Sequence, residues 1–505
     1  MRIAGDFDLL SALARLLLPV PHSRSQNEVI SPTVKTLRLQ RISLLIFGLA
    51  GALMVLFLGW EAVHSIGFLS DDFLHLRNAR SLGVFQPIDF HHFSPLLVSF
   101  YKMAGNQFLS SGSWHLIALL LHLLNALLVY WVTLHATEWD ELSATACALL
   151  FAFAPGGTEA VFWLAAFAYL PLLTLQLLAL GLFLKFALYQ TKLSTHLLVT
   201  LAVLQCLSLL IWDWGVLLTP TLAVAAISYW PKGFNWRIFA LRLLTLLPGC
   251  LVLLSFLGYH LFNLERVGYG LFPLGFARGT GLLLASGGLA LGHLLPKAAI
   301  PVIALLVIGI AAWGLWKDQR VSWLVGVYFL LQLPWYLQGA PSSRYAYFAM
   351  FFLLATLVIV FRRVLPKNGF YVVLLIALLV QAIAFQSALA RWVVASSIAT
   401  DLGNQIEKVP VLTPAQRSLV LVNLPDSLGN KHSLWQPPIW RNGITTIRAG
   451  TLTVYTPVYL ETHRVHDPKV LTRQQISKMS AQSDILEVRC EENTACSLIP
   501  FVRDK

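Results

Sequence analysis

Two adjacent carboxylates, Asp71 and Asp72, stand in the segment SIGFLSDDFLHLRNAR, shortly after a long apolar run. Neighbouring carboxylates repel each other unless a cation or a basic group lies nearby. Such a pair suits a general base, or ligands for a divalent metal ion such as Mg²⁺ or Mn²⁺. The structural alternative is helix capping, because a Ser-Asp-Asp sequence is also typical of a helix start. Position alone favours capping.

Three further segments carry polar side chains of types that bind substrates: QPIDFHHFSPLLVSFY at 86–101, PGGTEAVFW at 155–163 and SSRYAY at 342–347. The candidates in them are His91, His92, Glu159, Arg344 and Tyr345. Each of these residue types also has an ordinary structural explanation. The histidines could be polar residues of the membrane interface, the glutamate a carboxylate at a helix start, and the arginine a charge at a helix end.

One more candidate, Asp213, follows an apolar run in the sequence IWDWG. A carboxylate at the end of a membrane span is costly unless water or a partner stabilises it. Asp213 is therefore predicted to contribute to substrate binding.

The composition indicates a membrane protein. Of 505 residues, 57% are hydrophobic and 12% are charged, against about 25% charged in an ordinary soluble chain. Runs of about 20 apolar residues cross a bilayer, and they must be helical because hydrocarbon offers the backbone no hydrogen-bond partners. The net charge of +12 is scattered over short loops and membrane flanks, which argues against a nucleic-acid partner.

Hydropathy predicts about eleven spans. They lie at roughly 42–60, 113–134, 143–155, 164–188, 195–212, 214–231, 238–261, 300–316, 321–338, 345–362 and 370–390. The third is short and ends at Pro155. The Gly- and Leu-rich stretch 279–296 has three interpretations: a span, a re-entrant segment or a surface helix.

Basic residues near span ends favour the cytoplasmic side. Arg38 and Arg41 precede the first span, so the N-terminus is predicted to be cytoplasmic. If 279–296 does not cross, the basic clusters at 317–320 and 362–367 also fall inside. This agreement favours eleven spans and an outer C-terminal end.

The predicted fold is an all-α polytopic membrane bundle with a small extracytoplasmic domain. A cytoplasmic segment covers 1–41, the transmembrane domain 42–392 and the soluble domain 393–505. Within the first segment, Phe7–Val20 is apolar but too short to span, and it is predicted to lie at the interface. The first outer loop, 61–112, is long and rich in ionisable groups.

The C-terminal domain is predicted to be mixed α/β or β-rich. Alternating runs at Ser418–Leu424, Ile444–Val454 and Ile485–Val488 are typical of strands. Cys490 and Cys496 could form a disulfide if this domain lies outside the cytoplasm. No histidine joins that pair at metal-ligand spacing.

Under this topology the acidic pair and the three polar segments all face the outer side. Their order is an acidic pair, a His- and Pro-containing entry to the second span, then P-x-x-x-E-A-V-x-W and R-Y-x-Y. This order resembles the GT-C superfamily of membrane glycosyltransferases, and most of all bacterial relatives of the protein O-mannosyltransferases and the TMTC-type mannosyltransferases. The resemblance covers roughly 42–392.

The resemblance implies transfer of a sugar from a polyprenyl-phosphate donor to an acceptor on the outer face, the acceptor being a protein, a lipid or a polysaccharide. It implies that Asp71 or Asp72 acts as base or metal ligand, and that Arg344 binds the phosphate. Glu159 would bind the acceptor or support its loop. A bacterial inner membrane is the expected location.

Two departures from the family pattern keep other functions open. Ser94 stands where relatives often carry Arg, and Asp213 stands where they often carry Lys-Glu. The alternatives are a transporter or flippase of a lipid-linked precursor, a ligase- or polymerase-type glycosyltransferase, and a non-catalytic relative that binds a lipid or a partner. The second is disfavoured because such enzymes place their large outer loop late in the chain.

Overall fold

The protein is described from a computed structural model. Its described residues are 46, 49–50, 53, 55–69, 72, 75–76, 83–86, 93–105, 110–137, 140–187, 193–228, 235–263, 309, 312–313, 316, 323–328, 330–331, 343–408, 418–422, 453–454, 483–490 and 496–500. Several predictions fall outside them, including the interfacial helix at Phe7–Val20 and the stretch 279–296.

Helices dominate the described residues. They are α1 (Trp60–Ser65), α2 (Pro95–Gly105), α3 (Ser111–Ala136), α4 (Glu141–Ala152), α5 (Thr158–Phe162), α6 (Tyr169–Leu182), α7 (Thr195–Ile211), α8 (Leu218–Ser228), α9 (Trp236–Asn263), α10 (Ser343–Val364) and α11 (Lys367–Lys408). Short 3₁₀ helices at Pro155–Gly157, Leu164–Ala166 and Asp213–Leu217 lead into α5, α6 and α8, and π-helical turns lie at Val55–Gly59 and Phe183–Ala187.

The apolar helices confirm a mainly helical membrane architecture at a coarse level. Within the described ranges, five helices are long and apolar enough to cross a bilayer: Ser111–Ala136, Leu164–Phe186, Trp236–Tyr259, Tyr347–Val364 and Lys367–Leu402. A bent helix pair would make a sixth, and α7 and the helix at Asp213–Ile227 are shorter apolar helices. The total of eleven spans stays a prediction, because most of 300–316 and half of 321–338 lie outside the described residues.

The predicted third span is a broken helix. α4 has 12 residues, a length of about 18 Å, whereas the hydrocarbon core is about 30 Å thick. Pro155 has no N–H to continue the helix, and the chain turns by 52° before it continues through Pro155–Phe162. At its other end, α4 is capped by Asp140, whose side chain accepts hydrogen bonds from the Ser143 hydroxyl at 2.6 Å and the Ser143 amide at 3.4 Å.

α3 is the central helix of the described bundle and packs most extensively on α4 and α6. The α3–α6 contact is close at Gly181, where an added Cβ would overlap the ring of Trp131. Trp131 is itself buried. Small residues at such crossings let two membrane helices approach, since packing and not the hydrophobic effect drives their association.

The last helix is longer than predicted. α11 runs for 42 residues and passes residue 392, where the transmembrane domain was expected to end. Many of its apolar side chains before residue 384 are exposed, for example Leu375 and Leu379, as expected of a helix that faces lipid. Farther along, Trp392, Ile398 and Leu402 are buried against the bundle.

Of the four short strands described in the tail, three overlap the predicted runs, and the fourth, Cys496–Pro500, was not predicted. The described strands β1 (Ser418–Val422), β2 (Thr453–Val454), β3 (Ser483–Cys490) and β4 (Cys496–Pro500) form one sheet in the order β2-β1-β3-β4. β1 pairs in parallel with β2 and β3, and β3 pairs antiparallel with β4. The register makes Cys490 and Cys496 direct partners. Their disulfide and the bounds of a separate domain stay predictions.

The close crossing at Gly181 predicts a stability defect. Gly181→Ala should lower the free energy of unfolding by about 1–3 kcal/mol, the usual range for overpacking a core, because the Trp131 ring has no open space to enter. Thermal unfolding of the purified protein in detergent measures the change.

Gly258→Ala is the matched control. An atom added there meets nothing within 4 Å, and alanine favours a helix more than glycine does. Gly258→Ala should leave the melting temperature equal or higher. Equal behaviour of the two variants would contradict the close packing of α3 on α6.

Candidate active site

Asp72 is fully buried and ties two distant segments together. Its Oδ2 accepts a hydrogen bond from the Leu69 amide at 2.8 Å, and its Oδ1 accepts one from the Ala165 amide at 2.7 Å. The Asp72 amide in turn donates to the Leu69 carbonyl at 2.9 Å. Each carboxylate oxygen therefore holds a backbone N–H, one three residues earlier in the chain and one in a distant segment. An N-cap side chain accepts instead from an amide two or three residues later, so these two bonds do not amount to an N-cap.

Two more side chains hold the same stretch of the first outer loop. The Gly67 amide donates to Ser396 Oγ of α11 at 2.6 Å, and Trp163 Nε1 donates to the Leu69 carbonyl at 3.4 Å. The backbone between Ile66 and Leu69 is outside regular structure, so these side chains supply partners that a helix would otherwise provide. The loop is fixed against both α11 and the segment after Glu159.

The segment that precedes the second predicted span contacts the same region of the chain. Tyr101 of α2 is buried, and its hydroxyl donates to the Leu164 carbonyl at 2.9 Å. His75 stacks on the Tyr101 ring with 5.1 Å between centroids and 9° between planes. The acidic loop, the 86–101 segment and the chain following P-x-x-x-E-A-V-x-W thus converge at Leu164 and Ala165.

α10, which opens with the R-Y-x-Y motif, packs against the other end of that chain. An added Cβ at Gly157 would come within 3.3 Å of the Tyr347 ring. Phe348 stacks on Trp214 with 6.1 Å between centroids, and Trp214 directly follows Asp213. The IWDWG sequence therefore lies beside α10 as well.

The remaining candidates are placed as follows. Glu159 lies in α5 with its side chain half-buried, and Asp213 opens a 3₁₀ helix, also half-buried. Arg344 and Tyr345 lie in the first turn of α10, and the structure describes their backbone only. Asp71, His91 and His92 lie outside the described residues. Their predicted roles stay predictions.

Two buried polar residues inside α3 were missed from the sequence. His122 and Asn125 are fully buried and hydrogen-bond to Tyr347 of α10 at 2.8 Å and 3.2 Å. The signal was present in the sequence, because polar side chains within a membrane span are costly and mark functional or structural polar contacts.

The predicted metal ligands are only partly described by the structure. Each oxygen of Asp72 accepts one backbone N–H group, and a carboxylate oxygen has a further lone pair that could bind a cation. Nowhere in the described ranges do three His, Cys, Asp or Glu side chains come close enough to hold a metal ion. The metal expectation for Asp71 and Asp72 stays a prediction.

No protein-family model matches the sequence, and no curated protein matches it. Among solved structures, ArnT from Cupriavidus metallidurans is similar in its apo state, with a TM-score of 0.47 and 12% identity over 87% of this chain and 92% of that one. Its undecaprenyl phosphate-bound form gives a TM-score of 0.43 and 13% identity over 88% and 92%.

The archaeal oligosaccharyltransferase AglB from Archaeoglobus fulgidus, in complex with an inhibitory peptide and a dolichol-phosphate, gives a TM-score of 0.43 and 16% identity over 76% of this chain and 62% of that one. The chain thus spans about three-fifths of that enzyme's length. Similarity at this level assigns no activity and no residue's role to this chain.

The two hydrogen bonds of Asp72 predict a local opening defect. Asp72→Asn replaces one oxygen by an NH₂ group, which then faces a backbone N–H donor. Amide hydrogen exchange at Leu69 and Ala165 should become about 10- to 100-fold faster, since a hydrogen bond to a charged group contributes about 1.5–3 kcal/mol. Hydrogen-exchange mass spectrometry of peptides covering the two sites measures it.

Asp401→Asn is the control, because Asp401 is exposed on α11. It should leave exchange at both sites unchanged. Unchanged exchange in Asp72→Asn as well would mean that the carboxylate does not hold the two segments together.

Proposed function

We propose that this protein is an integral membrane glycosyltransferase that moves a sugar from a polyprenyl-phosphate donor to an acceptor at the outer face of a bacterial inner membrane. One observation carries the proposal. The motif segments that carry the GT-C resemblance are far apart in the chain, yet they pack around 155–165 through Asp72, Tyr101 and Tyr347. If these segments only anchored separate helices, they would not need to lie in contact with one another.

The arrangement favours Asp71 over Asp72 as the base. A general base must reach the acceptor's proton with a carboxylate oxygen, whereas the Asp72 side chain is fully buried and each of its oxygens accepts a backbone amide. Asp72 then acts by positioning its neighbour. The two roles are compatible because the residues are adjacent in the chain.

The reaction follows from these roles. The acceptor hydroxyl oxygen attacks the anomeric carbon of the sugar while its proton passes to the Asp71 carboxylate. The bond between that carbon and the phosphate oxygen breaks, and the phosphate leaves with the electron pair. Arg344 offsets the negative charge that develops on the leaving phosphate. A divalent metal ion held by Asp71 or Asp72 would offset the same charge.

The other candidates bind substrate in this proposal. Glu159 contacts the acceptor, His91 and His92 bind the substrate or its phosphate, and Tyr345 and Asp213 also contribute to substrate binding. The eleven-span topology, with the N-terminus inside and the C-terminal domain outside, brings all of them to the outer face.

A transporter of a lipid-linked precursor is the second candidate, and the break between α4 and α5 favours it. Discontinuous helices often form the substrate sites of transporters. The two functions differ in their product. A glycosyltransferase releases polyprenyl phosphate without its sugar, whereas a flippase returns the donor intact on the other leaflet.

The division of roles predicts different losses for the two aspartates. With a panel of polyprenyl-phosphate sugars and candidate acceptors, Asp71→Asn should lower the rate of polyprenyl-phosphate release by about 10²–10⁴-fold, the usual contribution of a general base. Asp72→Asn should also lower this rate. The size of its loss should match the size of its increase in amide exchange at Leu69 and Ala165. Asp401→Asn should match wild type.

Equal turnover in wild type and Asp71→Asn would reject Asp71 as the base. Transfer of intact donor between leaflets of a proteoliposome, with no release of polyprenyl phosphate, would favour the transporter instead.

A further inference from the structure

A buried polar cluster in the membrane domain joins four helices. We propose that this cluster, formed by His122, Asn125, Thr174 and Tyr347, fixes the first turn of α10 and so positions Arg344 for the donor phosphate. The inference rests on the proposed function for the role of Arg344. The four residues of the cluster take no part in the chemical step proposed above.

The hydrogen bonds of His122 determine its tautomer. Nε2 lies 3.0 Å from the Ala152 carbonyl oxygen, which can only accept, so Nε2 carries the proton. Nδ1 then accepts the hydroxyl proton of Tyr347 at 2.8 Å. A neutral histidine satisfies both contacts with no charge buried in the bundle.

Asn125 and Thr174 complete the cluster. Asn125 Nδ2 donates to the Tyr347 hydroxyl at 3.2 Å and to the Leu170 carbonyl at 3.0 Å. Thr174 Oγ1 donates to Asn125 Oδ1 at 2.7 Å. The Tyr347 hydroxyl therefore donates once and accepts once, and its position is fixed from two sides.

The Ala152 carbonyl explains why a histidine stands at this place. In an unbroken helix this oxygen would accept from the amide four residues later, but the chain leaves the helix at Phe153 and turns before Pro155. An unpaired carbonyl in hydrocarbon costs several kcal/mol. The His122 Nε2 proton replaces the missing amide.

The same cluster holds the start of α10. Arg344 precedes Tyr347 by three residues, which is just under one helical turn. The Tyr347 ring is confined by Phe151, with 5.4 Å between centroids, and by the backbone at Gly157. A tyrosine held at its hydroxyl and along its ring fixes the rotation of that turn about the helix axis.

The second tyrosine of R-Y-x-Y thus acquires a role distinct from the first. Tyr345 was predicted to contact substrate, whereas Tyr347 is fully buried and acts through Arg344. Tyr347 and His122 are positioning residues and touch no substrate.

The experiment measures the dissociation constant of undecaprenyl phosphate for the full-length protein in nanodiscs, which needs no turnover. Tyr347→Phe removes one hydroxyl and should weaken binding about five- to tenfold. His122→Phe should do the same. His122→Gln should restore near wild-type binding, because its amide can donate to one partner and accept from the other.

A double-mutant cycle with Arg344→Ala separates positioning from general stability. In the Arg344→Ala background, Tyr347→Phe should change the dissociation constant by less than about twofold. Equal losses in both backgrounds would overturn the inference. Thr356→Val is the matched control, since it removes a buried hydroxyl of α10 whose hydrogen bond among the described residues stays within its own helix, to the Phe352 carbonyl at 2.7 Å. A loss in Thr356→Val as large as in Tyr347→Phe would also overturn it.

Failure of the inference and failure of the proposed function give different results. If the wild type binds undecaprenyl phosphate but releases none from any sugar donor, the glycosyltransferase proposal fails while the cycle still decides the inference. If Tyr347→Phe does not fold, as judged by its melting temperature, the His122→Phe and His122→Gln pair decides it. Absence of undecaprenyl phosphate binding by the wild type overturns the inference directly.

Discussion

The arrangement of the candidate site depends on one carboxylate that is used twice. Asp72 accepts from an amide three residues away and from another 93 residues away. The Leu69 amide lies outside regular structure, and Ala165 lies in a single 3₁₀ turn, whose first amides have no partner within the turn. Asp72 thus holds the loop after α1 against the chain at 163–165, and α2 contacts the same chain through Tyr101.

The same constraint operates deeper in the bundle. A broken membrane helix leaves backbone carbonyls in a medium that cannot hydrate them, so the break at Pro155 is compatible with the fold only where a side chain supplies the missing donor. His122 supplies it. Because this histidine is neutral, its second nitrogen can accept the Tyr347 hydroxyl proton. The position of α10 is therefore constrained by the break between α4 and α5. Satisfaction of orphan backbone groups therefore links the acidic loop and the arginine helix to a common element, residues 152–165.

Local sequence patterns predicted much of this architecture. Apolar runs located α3, α6, α7, α9 and α10 within a few residues, and Pro155 indicated where the third span ends. Alternating runs indicated the strands of the tail. The length of α11 was missed because its polar and apolar residues continue a helical pattern beyond the membrane, where a hydropathy criterion ends the span.

The site could be predicted only in part. Order and topology indicated that the polar segments share a side of the membrane, but they could not separate Asp71 from Asp72. The proposed distinction rests partly on the bond from Ala165 to Asp72, to which Ala165 contributes only its backbone amide, so the residue type carries no signal of it. The pairing of His122 with Tyr347 likewise depends on which faces of two distant helices meet. In both cases the role of a residue depends on a contact with a residue far away in the sequence.

The most direct test of the account is a cryo-electron microscopy structure of the protein in nanodiscs with a bound polyprenyl-phosphate sugar. The account predicts the donor phosphate at the first turn of α10, beside Arg344, and the anomeric carbon facing Asp71 on the loop that Asp72 holds to Ala165. A donor bound on another face of the bundle, with its phosphate remote from α10 and its sugar remote from the acidic loop, would contradict the account.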